Sequence, residues 1–102
     1  IAHITGGGLL ENIPRILPPY VQAVITQQSW EWPEVFGWLQ QQGRIAQMDM
    51  LRTFNVGVGM VVVVAPHEVA LALDLLAGLG EVAWVLGQIE TGQKASPPVV
   101  MV

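Results

Sequence analysis

Apolar and polar residues along this chain are arranged in short blocks. In some blocks the apolar residues have the spacing of a strand, and in others they have the spacing of a helix. Residues 1–4 form a brief apolar block that predicts a strand, and three glycines lead from it into a helix predicted over residues 9–17. Two prolines, Pro18 and Pro19, end that helix because proline cannot continue the backbone hydrogen-bond ladder. Residues 20–25 are apolar on both faces, which predicts a strand covered on both sides.

The middle of the chain predicts two further helices. Pro33 suits the first position of a helix over residues 33–42, which Gly43 ends. The predicted apolar face of this helix consists of Val35, Phe36, Trp38 and Leu39. A second helix over residues 46–53 is expected to carry Ile45, Met48 and Leu51 inward.

The second half of the chain contains the longest apolar run. It predicts a strand over residues 53–65, whose continuously apolar part, residues 60–65, is expected to be buried on both faces. A helix over residues 67–78, a strand over residues 81–90 and an extended edge piece at residues 97–102 follow. This order predicts an α/β (α+β) fold, in which helices pack on a mixed sheet.

The amino-acid composition indicates more apolar surface than a self-contained domain exposes. The 102 residues are 52% hydrophobic and 12% charged, whereas ordinary soluble domains carry about 25% charged residues. We therefore expect further parts of the same polypeptide, or a partner, to cover more than one face. Because the chain opens on Ile1 inside an apparent strand, we expect it to be a piece of a longer protein. Its uncovered apolar edge should make the isolated piece self-associate.

Charge and residue usage exclude several classes of function. The net charge is −4, and no basic stripe is present, which argues against nucleic-acid binding. The basic residues are Arg15, Arg44, Arg52 and Lys94. The absence of cysteine excludes disulfides and thiolate metal sites and fits a reducing cytoplasm, and the two histidines are too far apart in sequence to favour a zinc site. The apolar run at residues 56–65 is too short to span a bilayer, so we expect no membrane association.

The strongest candidate for chemistry is Gly6, Gly7 and Gly8, here called the glycine loop. Glycine lacks a Cβ, so such a loop lets backbone N–H groups approach an anion such as phosphate closely. A flexible strand-to-helix connection is the alternative. The loop is not a P-loop, because no Lys-Ser or Lys-Thr follows it, and the G-x-G-x-x-G spacing of dinucleotide sites is absent.

Polar residues near the glycine loop complete the predicted site. His3 is the candidate catalytic residue, as an acid/base or phosphate contact, or else it is simply satisfied at the end of its strand. Thr5 is a phosphate ligand or a helix cap, and Arg15 a phosphate contact or a surface residue. The candidate substrate- and phosphate-binding residues are Thr5, Gly6, Gly7, Gly8, Asn12, Arg15 and Asn55, and no metal ligand is predicted.

Two long strings of the chain resemble a known family. Residues 3–15 (HITGGGLLENIPR) and residues 52–60 (RTFNVGVGM) are similar to the C-terminal domain of the aminoimidazole ribonucleotide synthetases, also called phosphoribosylformylglycinamidine cyclo-ligases. Residues 83–87 (AWVLG) resemble the last strand of that domain. The resemblance covers nearly the whole chain.

The resemblance implies a fold and an activity. Members have two α/β domains, of which the N-terminal one dimerises and contributes most of the ATP site. Residues 1–102 would then be a partial C-terminal domain of a cytoplasmic, homodimeric parent. The parent would use ATP, accompanied by Mg²⁺, to close formylglycinamidine ribonucleotide into 5-aminoimidazole ribonucleotide, with release of ADP and phosphate. The resemblance also implies that the piece alone is inactive, since most of the ATP site lies elsewhere.

Two alternatives remain open at this point. One is another enzyme of the same superfamily, such as selenophosphate synthetase, thiamine-monophosphate kinase or the larger amidotransferase-linked synthetase, although residues 52–55 disfavour these. The other is a phosphate-binding or interaction domain that keeps the glycine loop only as an element of its fold.

Overall fold

The computed structural model describes residues 1–92 and 97–102 and has the predicted α/β architecture. The strands of this part of the chain are β1 (Ala2–His3), β2 (Val21–Ile25), β3 (Met60–Val61), β4 (Gly87–Thr91) and β5 (Val99–Met101). The α-helices are α1 (Gly8–Asn12), α2 (Glu34–Gly43), α3 (Gln47–Thr53) and α4 (Val69–Gly78). Short 3₁₀ turns lie at Ile13–Ile16, Gln27–Ser29 and Pro66–Glu68.

The strands form a mixed sheet and a separate antiparallel pair. In the sheet, with order β4-β2-β5, the central β2 pairs antiparallel with β4 and parallel with β5. This confirms the predicted mixed sheet and the edge position of the last strand. In the other pair, β1 runs antiparallel to β3, with Ala2 opposite Val61 and His3 opposite Met60.

One apolar core joins both groups of strands to α1 and α3. Its members are Ala2, Ile4, Leu9, Ile13, Ala23, Ile25, Leu51, Val56, Val58 and Val99. Leu9 and Val56 are fully buried in it, and Leu51 is 1% exposed. Because α1 and α3 contribute to this core directly, the segment that carries the glycine loop is anchored to the most buried part of the protein.

Most predicted helices are confirmed, with one change of type. The helices predicted over residues 33–42, 46–53 and 67–78 correspond to α2, α3 and α4. The helix predicted over residues 9–17 divides into α1 and the 3₁₀ turn Ile13–Ile16. Pro14 lies at the start of that turn and donates no backbone hydrogen bond, which favours the tighter 3₁₀ geometry there.

The two long strands predicted in the second half are wrong in extent. From residues 53–65 only β3 forms, and Met60, Val62 and Val63 are 59%, 45% and 46% exposed instead of buried. From residues 81–90 only the end forms, as part of β4. An apolar run becomes a strand only where a neighbouring strand pairs with it, and the described residues supply no such neighbour for residues 62–65 or 81–85.

Some predicted inward positions also differ. In α3, Leu51 is buried as predicted and Met50 is buried beside it, whereas Met48 is 48% exposed, because the helix packs against the core through the side that carries Met50 and Leu51. In α2, Phe36 packs against Phe54 with ring centroids 5.9 Å apart, but Trp38 is exposed.

Helix α4 presents an uncovered apolar stripe. Leu71, Leu75 and Leu79 are spaced four residues apart, which places them on one face, and they are 60%, 61% and 78% exposed. No residue of α4 is buried in the described structure. Within residues 1–92 and 97–102, no helix has the length and apolarity needed to cross a membrane.

We predict that this 102-residue chain self-associates in solution through such uncovered apolar surface. Burying a leucine side chain is worth about 1.5–3 kcal/mol, so a stripe of leucines provides a substantial driving force. Sedimentation velocity should show a concentration-dependent increase in mass, and Leu71→Glu with Leu75→Glu should reduce it. A clean wild-type monomer at high concentration would contradict this prediction.

Candidate functional site

The glycine loop begins where the β1–β3 pair ends. The Ile4 N–H donates a hydrogen bond to the Gly59 carbonyl at 2.9 Å, which holds the chain beside β3 up to the loop. The Gly8 N–H then donates to the Thr5 carbonyl at 3.0 Å and closes a tight turn. Helix α1 starts directly from this turn, so strand, loop and helix form one continuous, ordered unit.

Gly8 is required by packing as well as by backbone conformation. Its φ of +61° lies in the left-handed region. A Cβ at this position would collide with the Leu51 carbonyl oxygen and lie 2.6 Å from that of Phe54. The start of α1 therefore rests directly on the last turn of α3, at a distance that only glycine allows.

Gly7 is required by conformation, and a side chain lies over it. Its φ is +98°, which disfavours any residue with a Cβ. A Cβ there would meet the Glu11 side chain, including its Oε2 carboxylate oxygen. An anion approaching Gly7 from this side would therefore face a negative charge.

At Gly6, neither packing nor backbone conformation requires a glycine. Its φ lies outside the left-handed range, and a Cβ there would meet no atom within 4 Å. The residue is exposed. Nothing in the fold of the described residues explains why this position is glycine.

Asn12 is the centre of the hydrogen-bond network that supports the glycine loop. Its Nδ2 donates to the carbonyls of Thr5 at 3.2 Å, Gly6 at 3.4 Å and Gly8 at 2.8 Å. Its Oδ1 accepts from the Thr5 hydroxyl and from an Arg15 guanidinium N–H, each at 3.2 Å. Asn12 is only 3% exposed. The predicted direct contact between Asn12 and substrate therefore needs correction: burial and full engagement of its amide keep it behind the loop.

Thr5 and Arg15 stand on the outer side of this network. The alternative of Thr5 as a helix cap is wrong, because Gly7 is the N-cap residue, and its helix has no side-chain cap bond. The Arg15 side chain, by contrast, is exposed while one N–H holds it to Asn12. The structure thus brings a cation to the edge of the glycine loop.

His3 lies outside the Asn12 network. Ala2 and Ile4 on either side of it are each 3% exposed, and side chains alternate along a strand, so His3 points to the solvent face. Its imidazole makes no hydrogen bond within residues 1–92 and 97–102. The alternative that His3 is satisfied internally finds no support there.

Asn55 shapes a turn that follows α3. Its Oδ1 accepts the Gly57 N–H at 2.9 Å, and its carbonyl accepts the Val58 N–H at 2.9 Å. Between them, Val56 adopts a φ of +45°, which is unusual for a β-branched residue. Trp30 fastens this turn by donating from its indole Nε1 to the Val56 carbonyl at 3.0 Å.

Sequence reasoning misses this supporting role of residues behind the site. From the sequence, Trp30 is expected only to contribute to packing. It does pack against Trp84, with the two ring centroids 6.3 Å apart. Its hydrogen bond, however, also fixes the turn that follows the α3 carbonyls of Leu51 and Phe54, on which Gly8 rests. The sequence signal for it is weak: Asn55 and Gly57 mark a turn, but nothing in the sequence connects Trp30 with that turn.

The described residues contain no group of three or more histidine or acidic side chains able to hold a metal ion. Glu11, whose carboxylate lies near the loop, therefore belongs to no such group among the described residues.

An open cleft of about 340 Å³ lies elsewhere, beside the mixed sheet. Val24, Ser29 and Val102 are among its lining residues, and none of the lining residues belongs to the glycine loop or to the predicted site. It gives no reason to move the candidate site from the loop.

Taken together, the mixed sheet, the helices and the glycine loop between β1 and α1 define an α/β domain, and comparison with known proteins makes the assignment specific. The chain matches the family described as AIR synthase related protein, C-terminal domain, over residues 1–99, and it belongs to that family. This confirms the resemblance noted from the sequence.

Two similar proteins are named phosphoribosylformylglycinamidine cyclo-ligase. Both come from Coxiella burnetii, strains RSA 331 / Henzerling II and RSA 493 / Nine Mile phase I. Each is 54% identical over 101 residues, which is 99% of this chain and 29% of the relative. The chain therefore spans less than a third of the length of these curated relatives.

We predict that Gly8 and Gly6 respond oppositely to alanine. Gly8→Ala should destabilise the chain by about 2–4 kcal/mol, because it adds both a left-handed conformation and a backbone collision. Gly6→Ala should melt at or slightly above the wild-type temperature, since its Cβ enters open space. Thermal melts followed by circular dichroism at one fixed concentration would measure this, and equal losses for both variants would contradict the local geometry.

Proposed function

We propose that this chain forms part of the C-terminal domain of a phosphoribosylformylglycinamidine cyclo-ligase. The proposed reaction is the ATP-dependent closure of formylglycinamidine ribonucleotide to 5-aminoimidazole ribonucleotide, in de novo purine synthesis. Family membership and the 54% identity to relatives of this name support the proposal. The longer parent is proposed to be a cytoplasmic homodimer.

The observation that carries the substrate assignment is Gly6. Gly7 and Gly8 are explained by positive φ and close packing, whereas Gly6 is exposed, and a Cβ added to it would have no neighbour within 4 Å. A glycine that the fold does not require is accounted for when a ligand must approach the backbone there. We therefore assign Gly6 to the contact with a phosphate, and the ribonucleotide 5′-phosphate is our choice.

Charge near the glycine loop is consistent with that assignment. Arg15 is exposed and held beside the loop by its hydrogen bond to Asn12. A guanidinium offers several N–H donors in a fixed plane and pairs well with phosphate oxygens. Since Glu11 covers Gly7, the favourable approach for an anion is over Gly6 and towards Arg15. Thr5 would line the same approach.

His3 is proposed to move a proton during ring closure. Its imidazole is exposed and free of hydrogen bonds to other described residues, two positions before Thr5. Histidine suits this role because it exchanges protons near neutral pH. Asn55 is proposed to act on substrate through its turn, since its side-chain oxygen is engaged by Gly57.

ATP and Mg²⁺ are proposed to bind mainly outside these 102 residues. Among the described residues, no three acidic or histidine side chains lie together as a metal-binding group, and Mg²⁺ that accompanies ATP takes most of its ligands from phosphates and water. What this chain contributes is therefore the positioning of the ribonucleotide, which is a large part of catalysis in phosphoryl transfer.

We predict that Gly6→Ala in the full-length polypeptide raises the Michaelis constant for formylglycinamidine ribonucleotide about tenfold or more. The added methyl group would occupy the space that the phosphate needs. Steady-state kinetics with both substrates would show the effect on the ribonucleotide and not on ATP.

Gly37→Ala is the matched control. It also adds a methyl group into open space, but in the middle of α2 and away from the glycine loop. Its Michaelis constants should equal those of the wild type. An unchanged constant for Gly6→Ala in a normally folded enzyme would argue that the loop only shapes a turn.

We also predict that this chain alone has no cyclo-ligase turnover, because it spans 29% of the length of its relatives. The assay is release of ADP that depends on formylglycinamidine ribonucleotide, with the full-length parent as the positive control. Turnover by the isolated chain would disprove the proposal that the ATP site lies mainly elsewhere.

A further inference from the structure

We infer that Asn12 is a positioning residue that orients the glycine loop and Arg15 for substrate without touching substrate itself. This inference rests on the proposed function. An asparagine amide has two N–H donors and an oxygen that accepts two hydrogen bonds. In Asn12 the two N–H groups of Nδ2 reach three carbonyls, so one N–H is shared, and Oδ1 accepts from two donors, so no capacity remains for a ligand.

The orientation of the amide is determined by its partners. Carbonyl oxygens surround Nδ2, and the guanidinium N–H of Arg15, which is only a donor, faces Oδ1. Exchanging the two ends of the amide would place oxygen against oxygen and nitrogen against nitrogen. Only the observed orientation satisfies every group.

Asn12 determines which way the N–H groups of the glycine loop point. In a planar trans peptide, the carbonyl of one residue and the N–H of the next point in opposite directions, and the described chain has no cis peptide. Because the Thr5 and Gly6 carbonyls turn inward to Asn12, the N–H groups of Gly6 and Gly7 turn away from it. Neither N–H donates a hydrogen bond within the described residues.

Asn12 also couples the loop to the cation beside it. The same oxygen, Oδ1, accepts from Thr5 and from Arg15, so one buried side chain sets both the backbone of the loop and the place of the guanidinium. With an exposure of 3%, Asn12 lies behind these groups and not on the substrate side. Loss of its amide should release the loop and Arg15 together.

The test uses the full-length cyclo-ligase with Asn12→Leu, which keeps a similar volume and removes every hydrogen bond of the amide. We expect the Michaelis constant for formylglycinamidine ribonucleotide to rise about tenfold or more, while kcat and the Michaelis constant for ATP change only a few-fold. In an Arg15→Ala background the same substitution should have a smaller effect, since part of its action passes through Arg15.

Ile25→Ala is the control for general destabilisation, because it opens the core in β2, away from the loop. At a temperature where both variants are folded, it should lower the melting temperature without raising the Michaelis constant. Asn12→Asp is the second variant for this test, to be used if Asn12→Leu does not fold. It keeps the acceptors for Thr5 and Arg15 but loses the donors to the carbonyls, so the constant should rise again.

The outcomes separate this inference from the proposed function. Absence of turnover in the wild-type full-length protein would overturn both. Turnover in the wild type, with an unchanged ribonucleotide constant in Asn12→Leu or Asn12→Asp, would overturn the role of Asn12 alone. The role of Asn12 would also be overturned if Ile25→Ala raised the Michaelis constant for the ribonucleotide as much as the Asn12 variants do. It would be overturned as well if the effects of the Asn12 and Arg15 substitutions on that constant were additive.

Discussion

The contact between Gly8 and the last turn of α3 is the constraint on which the rest of the site depends. The backbone of Gly8 lies so close to the carbonyls of Leu51 and Phe54 that a Cβ cannot be accommodated. This approach brings α1 onto α3 and directs Leu9 into the core, where it is fully buried. Since α3 is itself anchored through Met50 and Leu51, the glycine loop sits on a rigid support.

The three glycines of the loop therefore have different structural roles. Gly8 makes the close contact and Gly7 makes the turn, while Gly6 remains exposed with open space around it. Behind them, Asn12 gathers the carbonyls of the loop, so that a buried polar group is satisfied by the very backbone that it orients. The fold therefore requires Gly7 and Gly8 and leaves Gly6 available for the phosphate contact that we propose.

The extensive exposed apolar surface agrees with a chain that spans 29% of its relatives' length. Leu71 and Leu75 on α4, Leu79 just after it and the apolar residues that follow β3 are uncovered in the described structure. Only 12% of the residues are charged, and this low fraction already predicted apolar surface that these 102 residues do not bury among themselves.

The sequence by itself determined the α/β class, the approximate bounds of the helices, the glycine loop and the family. These depend on local signals, such as proline and glycine at helix ends, apolar spacing and two long strings of residues. It did not determine the extent of the strands, because residues 60–65 are as apolar as any buried strand, but residues 62–65 find no pairing strand among residues 1–92 and 97–102. Nor did it separate the surroundings of Gly6, Gly8 and Asn12. Those surroundings depend on residues far along the chain in α3 and on the direction of individual carbonyl groups, which only the tertiary structure decides.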